Sequence, residues 1–316
     1  MADRKSSLRI DKLKKGSHLT ALPKGNKMLY FLNLVDILVR VESPFQLLEN
    51  DSTKDFYVDA ESSSRFDLCF VYQPVEELPL PENVLFNDGR RVYTGYGNNS
   101  STFFYPAPAK TPYAWVSRTT IVQGKLVCKY IPGNEYLMNY KRNILTLMDL
   151  EASLLHFDSI ILHASFIKWN EKGIIFTAPS GTGKSTQAAL WEEYNDAEIL
   201  NGDRVALRKI NGVWKAYGLP YAGTSGIYRN ESAPLMAVVA LRQARENRIR
   251  RIKGSEAFYY LYPETMIHRW DSDFENQATK LLLDILGIIP VFLLECRPDR
   301  EAVKTLENQL MFQNSK

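Results

Sequence analysis

The run Ala178-Pro179-Ser180-Gly181-Thr182-Gly183-Lys184-Ser185, followed by Thr186, holds the residue types that can grip a chain of phosphates. It fits the spacing G-x-x-x-x-G-K-S/T with Ala178 in place of the first glycine. Gly181 and Gly183 let the backbone curl until successive N–H groups converge on phosphate oxygens. Lys184 brings a compact positive charge to the outer phosphates, and Ser185 brings a hydroxyl to Mg²⁺. The apolar Ile174-Ile175-Phe176 before the loop predicts a strand. Thr186 to Trp191 after it predicts a helix that begins at the phosphates. Ser180, Gly181, Thr182, Gly183, Lys184, Ser185 and Thr186 are therefore the expected contacts, with ATP and Mg²⁺ as ligands.

Such a loop binds; it does not by itself define a reaction. Asp203, in Asn201-Gly202-Asp203-Arg204, follows Ser185 by the distance that a helix and a returning strand consume. That places its carboxylate at a strand end facing the loop, able to ligate Mg²⁺ with Ser185 or to take the proton of an acceptor. The competing reading is a turn aspartate bonded to local amides. His163, in Ile161-Leu162-His163-Ala164-Ser165, reads by itself as a packed strand histidine. Gly218 and Gly223 frame a loop that can close over a nucleotide. Arg242, Arg245, Arg248, Arg250 and Arg251 alternate around an expected hairpin and read as a solvated face. His268 has no spaced partner and reads as structural.

The elements that must position these residues change character along the chain. Residues 28–135 are read as a β-rich accessory domain of antiparallel strands, because short aromatic and β-branched runs alternate with Gly, Pro, Asn and Asp clusters. Met28 to Val41 reads as one lightly broken apolar run. From residue 136, Leu137, Tyr140, Ile144, Leu147, Met148, Leu154 and Leu155 recur at helical steps and predict one amphipathic helix. A hairpin of Ser159–Trp169 and Gly173–Thr177 then leads into the loop. Asn211-Gly212 marks a second hairpin. A third is expected from Pro234–Arg242 and Arg248–Ile252 across Glu246-Asn247. A helix over 273–286, a strand over 291–295 and a helix over 300–310 close the chain.

The 316 residues bound the alternatives. With 45% apolar and 24% charged residues the composition is globular, not disordered. A net charge of +3 is too small to predict nucleic-acid binding. The longest apolar stretch, Leu281 to Leu294, is interrupted by Asp284 and Pro290. It falls short of the roughly 18 residues that cross a bilayer, so no membrane partner is expected. Cys69, Cys128 and Cys296 are odd in number and widely spaced, which fits a reducing cytoplasm. Residues 1–27 carry eight Lys/Arg against two acids. They read as a flexible basic tail at +6, with docking to an acidic partner as the alternative.

Five stretches together resemble the HPr kinase/phosphorylase family, in particular its shorter relatives associated with peptide-modification gene clusters. They are Ile161–Ser165, Ala178–Thr186, Leu200–Val205, Tyr217–Pro220 with Gly223, and Cys296-Arg297-Pro298-Asp299 after Val291–Glu295. The resemblance covers about half the chain. It implies an α/β (α+β) P-loop kinase domain of the HPr kinase/phosphoenolpyruvate carboxykinase type over 136–316, joined to the β-rich domain. It implies transfer of the γ-phosphoryl group of ATP to a Ser hydroxyl of a peptide or protein acceptor, an acidic one being a candidate. Lys184 and Ser185 would take the phosphate and Mg²⁺ roles, Asp203 that of catalytic base, and His163 that of the histidine near it. The chain departs from the bifunctional enzymes in two places. Gly202-Asp203 stands where they have two adjacent aspartates, and Val213–Tyr217 lacks their acid before Gly218-Leu219. The second metal ligand and the phosphorylase reaction of those enzymes therefore stay open for this chain. A small-metabolite kinase and a nucleotide-binding partner with little transfer activity remain as alternatives, and homo-oligomerisation stays open.

Overall fold

The computed structural model describes residues 27–47, 53–59, 65–106, 110–139, 143–221 and 223–314. The chain divides into two compact units, Met1–Ser153 and Leu154–Lys316. The basic tail proposed for residues 1–27 lies outside the described residues except Lys27, whose ammonium pairs with Glu42 at 2.9 Å. Among the described residues no helix is long and apolar enough to cross a membrane. The three cysteines are free and buried.

The first unit is built on one eight-stranded sheet. Its strands are β1 Met28–Leu34, β2 Ile37–Ser43, β3 Leu68–Pro74, β4 Val84–Asn87, β5 Arg91–Thr94, β6 Ser101–Phe104, β7 Ala114–Ser117 and β8 Lys125–Tyr130. They lie in the order β1-β2-β3-β8-β7-β6-β5-β4. The expected all-antiparallel arrangement is corrected here: β3 runs parallel to both its neighbours, β2 and β8. Its first five residues are all buried, and a strand of that kind is stable only between two others. β1 and β2 form a hairpin turned by Val35-Asp36, both in left-handed backbone. The expected helix over 136–155 is broken into α1 Glu135–Met138, α2 Asn143–Leu147 and α3 Leu150–Leu155. Asp149 stands between the last two with φ 48°. Its buried carboxylate meets the buried Arg118 guanidinium at 3.0 Å. A buried arginine left unpaired would cost several kcal/mol (~3–5), which outweighs an uninterrupted helix.

The second unit carries a second eight-stranded sheet and four helices. The chain order is β9 Ser159–Trp169, β10 Lys172–Thr177, α4 Lys184–Asn195, β11 Glu198–Asn201, β12 Arg204–Ile210, β13 Val213–Gly218, β14 Ser232–Gln243, β15 Arg248–Ile252, α5 Gly254–Leu261, α6 Ser272–Ile288, β16 Val291–Cys296 and α7 Arg300–Asn314. β9 and β10 form the expected hairpin, closed by Asn170-Glu171 with φ 48° and 58°. β12 and β13 form the Asn211-Gly212 hairpin. β10 also runs parallel to β14, so β10, β9, β12, β13 and β14 pair in a closed circuit.

The third expected hairpin does not form. β14 and β15 both pair with β16, which lies between them. Val291 to Leu294 are all buried, and such a run must have hydrogen-bonding partners on both edges. Trp191 of α4 packs edge-on against Trp169 at 5.1 Å and is fully buried. With Phe176, Val239, Phe292 and Leu306 it forms the core that anchors α4 and α7 to the sheet.

Candidate functional site

The loop 178–183 leaves β10 at Thr177 and enters α4 at Lys184. Gly181 has φ 80° and Gly183 φ 121°, backbone that other residues reach only with strain. A Cβ added at either would meet nothing within 4 Å, so conformation alone demands glycine and the space beside them is open. Ser180, Gly181, Ser185 and Thr186 are exposed, and Thr182 and Gly183 are half-buried. Lys184 is buried, and its Nζ donates to Ala178 O at 2.7 Å and Pro179 O at 3.4 Å. Burial pushes this ammonium below the usual lysine range, while the carboxylates of Glu264 and Asp203 pull it back up. Gln243, at the end of β14, donates to Thr182 O at 3.3 Å and so steadies the crest of the loop. The result is a curled backbone with a fixed cation at its base and room for an anion above.

β9 connects this loop to Asp203. Ala164 of β9 pairs with Thr177 on one edge, and its N–H donates to Asp203 O on the other at 2.9 Å. Asp203 therefore sits two strands from the loop entrance, on the order of 10 Å of backbone spacing. Nine of the eleven residues of β9 are buried, and His163 and Lys168 are the two that break the pattern. His163 Nε2 lies 3.8 Å from Asp203 Oδ1, and Nδ1 lies 3.1 Å from Glu264 Oε2. Sequence reasoning missed Glu264: Pro263-Glu264-Thr265 carries no motif. Its place is set by a bridge between Thr265 and Leu162 and by Met266 N–H donating to Ile161 O at 2.8 Å. These docking contacts use the edge of β9 that β10 leaves open before Ala164.

The local amides of the turn are held by Asn201, not by the Asp203 carboxylate. Asn201 Oδ1 accepts from Asp203 N at 2.8 Å and Arg204 N at 2.9 Å, and its Nδ2 donates to Leu219 O at 2.7 Å. The Asp203 carboxylate is left partly exposed, with Arg204 Nε at 3.8 Å. Gly223 packs against it: a Cβ there would fall 2.8 Å from Asp203 Cβ, and φ is 55°. Gly218 is needed because a Cβ would collide with Arg229 O. Gly218 thus lets β13 approach the Arg229 carbonyl, and Gly223 brings its own backbone against Asp203. Asn201→Ala would strand the buried Leu219 carbonyl and two half-buried amides of the turn. We expect a loss of about 2–4 kcal/mol, read as a lower urea midpoint; an unchanged midpoint would deny Asn201 this role.

Ser185 and Asp203 are hard oxygen donors of the kind Mg²⁺ takes, and the loop with Lys184 suits a polyphosphate. Three of the arginines of β14 and β15 and His268 are engaged elsewhere. Arg242 pairs with Glu295, Arg248 with Glu246 and Arg250 with Glu256. His268 is buried and stacked with Trp270 and Phe274.

No protein-family model matches the chain, and no curated protein matches it. Among solved structures, the HPr(Ser) kinase/phosphatase from Coxiella burnetii is similar over 49% of this chain and 94% of its own, at 13% identity and a TM-score of 0.29. A likeness of that size shows neither the fold nor the activity of this chain.

Proposed function

We propose that this chain is an ATP- and Mg²⁺-dependent kinase of the P-loop, HPr-kinase-like type that phosphorylates a Ser hydroxyl of a peptide or protein. The observation that supports it is the meeting of a cation-based phosphate cradle with a carboxylate–imidazole–carboxylate row across one strand. Ser180 to Thr186 would hold the phosphates, and Ser185 and Asp203 would hold Mg²⁺. Bound there, the metal neutralises charge on the phosphoryl oxygens.

The gap between His163 Nε2 and Asp203 Oδ1 leaves a place for the acceptor. An acceptor hydroxyl about 2.8 Å from Asp203 Oδ1 can donate its one proton there, with His163 Nε2 across the 3.8 Å gap. The acceptor hydroxyl gives its proton to the Asp203 carboxylate as its oxygen bonds to the γ-phosphorus. The bond from that phosphorus to the β-bridging oxygen breaks, and its electron pair leaves with ADP. Lys184 stabilises the charge gathering on the leaving oxygens. Glu264 supplies a second carboxylate within the field of Lys184, which weighs against a nucleotide-binding partner without transfer.

The test is transfer of labelled γ-phosphate to serine peptides, acidic ones included, followed by identification of the phosphorylated residue. Phosphoserine formation that requires Mg²⁺ is the expected result. Tight ATP binding with no transfer to any peptide, protein or small hydroxyl compound would leave the non-transferring reading. Transfer to a small metabolite alone would select the metabolite kinase.

A further inference from the structure

We propose that Glu264 is a positioning residue that acts through His163, fixing the ring proton on Nδ1 so that Nε2 faces Asp203 and the incoming hydroxyl. As a contribution to phosphoryl transfer this rests on the kinase reading; as a statement about the ring it does not. An ionised carboxylate can only accept hydrogen bonds. Glu264 Oε2 at 3.1 Å therefore requires a proton on Nδ1. In the neutral ring the lone pair then falls on Nε2, the nitrogen that lies 3.8 Å from Asp203 Oδ1. With the opposite tautomer, the Nε2 proton would point at Asp203 and compete with the acceptor hydroxyl for the same oxygen.

Glu264 is well placed to impose the choice. Its carboxylate is 11% exposed, against 32% for His163 and 29% for Asp203. The backbone on either side is tied down. Thr265 is buried, bridges to Leu162 and donates its hydroxyl to Leu261 O at 2.8 Å. His163 is itself held in β9, where its carbonyl accepts from the Thr177 hydroxyl at 3.2 Å. A carboxylate held against one ring nitrogen is the usual means of fixing a working imidazole.

The experiment is ring ¹⁵N spectroscopy of His163 in the full chain near pH 8, for wild type, Glu264→Leu and Glu264→Gln. In wild type Nδ1 should be protonated. In Glu264→Leu the neutral ring should move toward the Nε2–H form, the common one for a free imidazole. A wild-type ring that is unprotonated at Nδ1, or protonated at both nitrogens, overturns the proposal. So does a proton distribution that Glu264→Leu leaves unchanged. The wild-type spectrum needs no variant and decides the matter even if Glu264→Leu fails to fold.

Transfer kinetics supply the second arm. Glu264→Leu should lower turnover by roughly 10–100-fold. In a His163→Ala background the same change should cost less than about twofold more, because its effect runs through the ring. Additive losses would overturn that route. Absent transfer with the expected ring spectrum would fell the kinase reading and leave the positioning intact. Transfer with the wrong tautomer would fell only the positioning.

Discussion

Asp203→Asn should still bind Mg·ATP and lose about 10²–10⁴-fold in turnover. The substitution keeps the size and branching of the side chain. The backbone at Asp203 is held by Asn201 and by Ala164, neither of which uses the carboxylate. Gly223 packs against Cβ and Cγ, atoms the variant retains. What disappears is the negative charge offered to Mg²⁺ and the group that can take the acceptor's proton, since an amide oxygen is a weaker ligand and a far weaker base. The loss should therefore fall on the chemical step. Single-turnover transfer at saturating Mg²⁺ and ATP reads it directly. Retained turnover would place proton acceptance elsewhere, and a folding loss would show in the urea midpoint.

Lys184→Ala is expected to weaken Mg·ATP binding by about 10–150-fold, the equivalent of a charge-assisted contact of about 1.5–3 kcal/mol. Lys184 rests on Ala178 O and Pro179 O at the base of the loop. Its cation already stands in the field of Asp203 and Glu264. Without it, three or four phosphate charges would face two carboxylates with no fixed positive charge between them. Calorimetric titration of Mg·ATP measures the effect, and equal dissociation constants for the two proteins would refute the role. The two substitutions should separate cleanly: one costs affinity, the other turnover.

The amino-acid sequence determined the parts of this protein whose signals are local. The glycines of the loop, the apolar strand before it and the helix after it lie within about twenty residues, and the structure has each in place. Asn211-Gly212 specified its hairpin by backbone conformation alone, with φ 50° and 81°. The β1–β2 turn gave no such sign. Val35-Asp36 reverses the chain with a β-branched residue in left-handed backbone, so two strands read as one run.

The tertiary structure decided which strands pair. A buried run states that it must be covered on both sides but does not name the segments that cover it. β16 therefore separates β14 from β15, and β3 takes parallel neighbours, although nearer partners were available for hairpins. The same holds for the site. Asp203 could be picked out by its type and spacing and His163 only by the family resemblance, but Glu264 stands 101 positions from His163. Only the open edge of β9 brings it there. Asn201 likewise looked like part of a turn, and its burial against Leu219 makes it the residue that frees the Asp203 carboxylate. Contacts of this kind depend on distances across the sheet, which are set once many remote residues are packed and are not encoded in the spacing of any few.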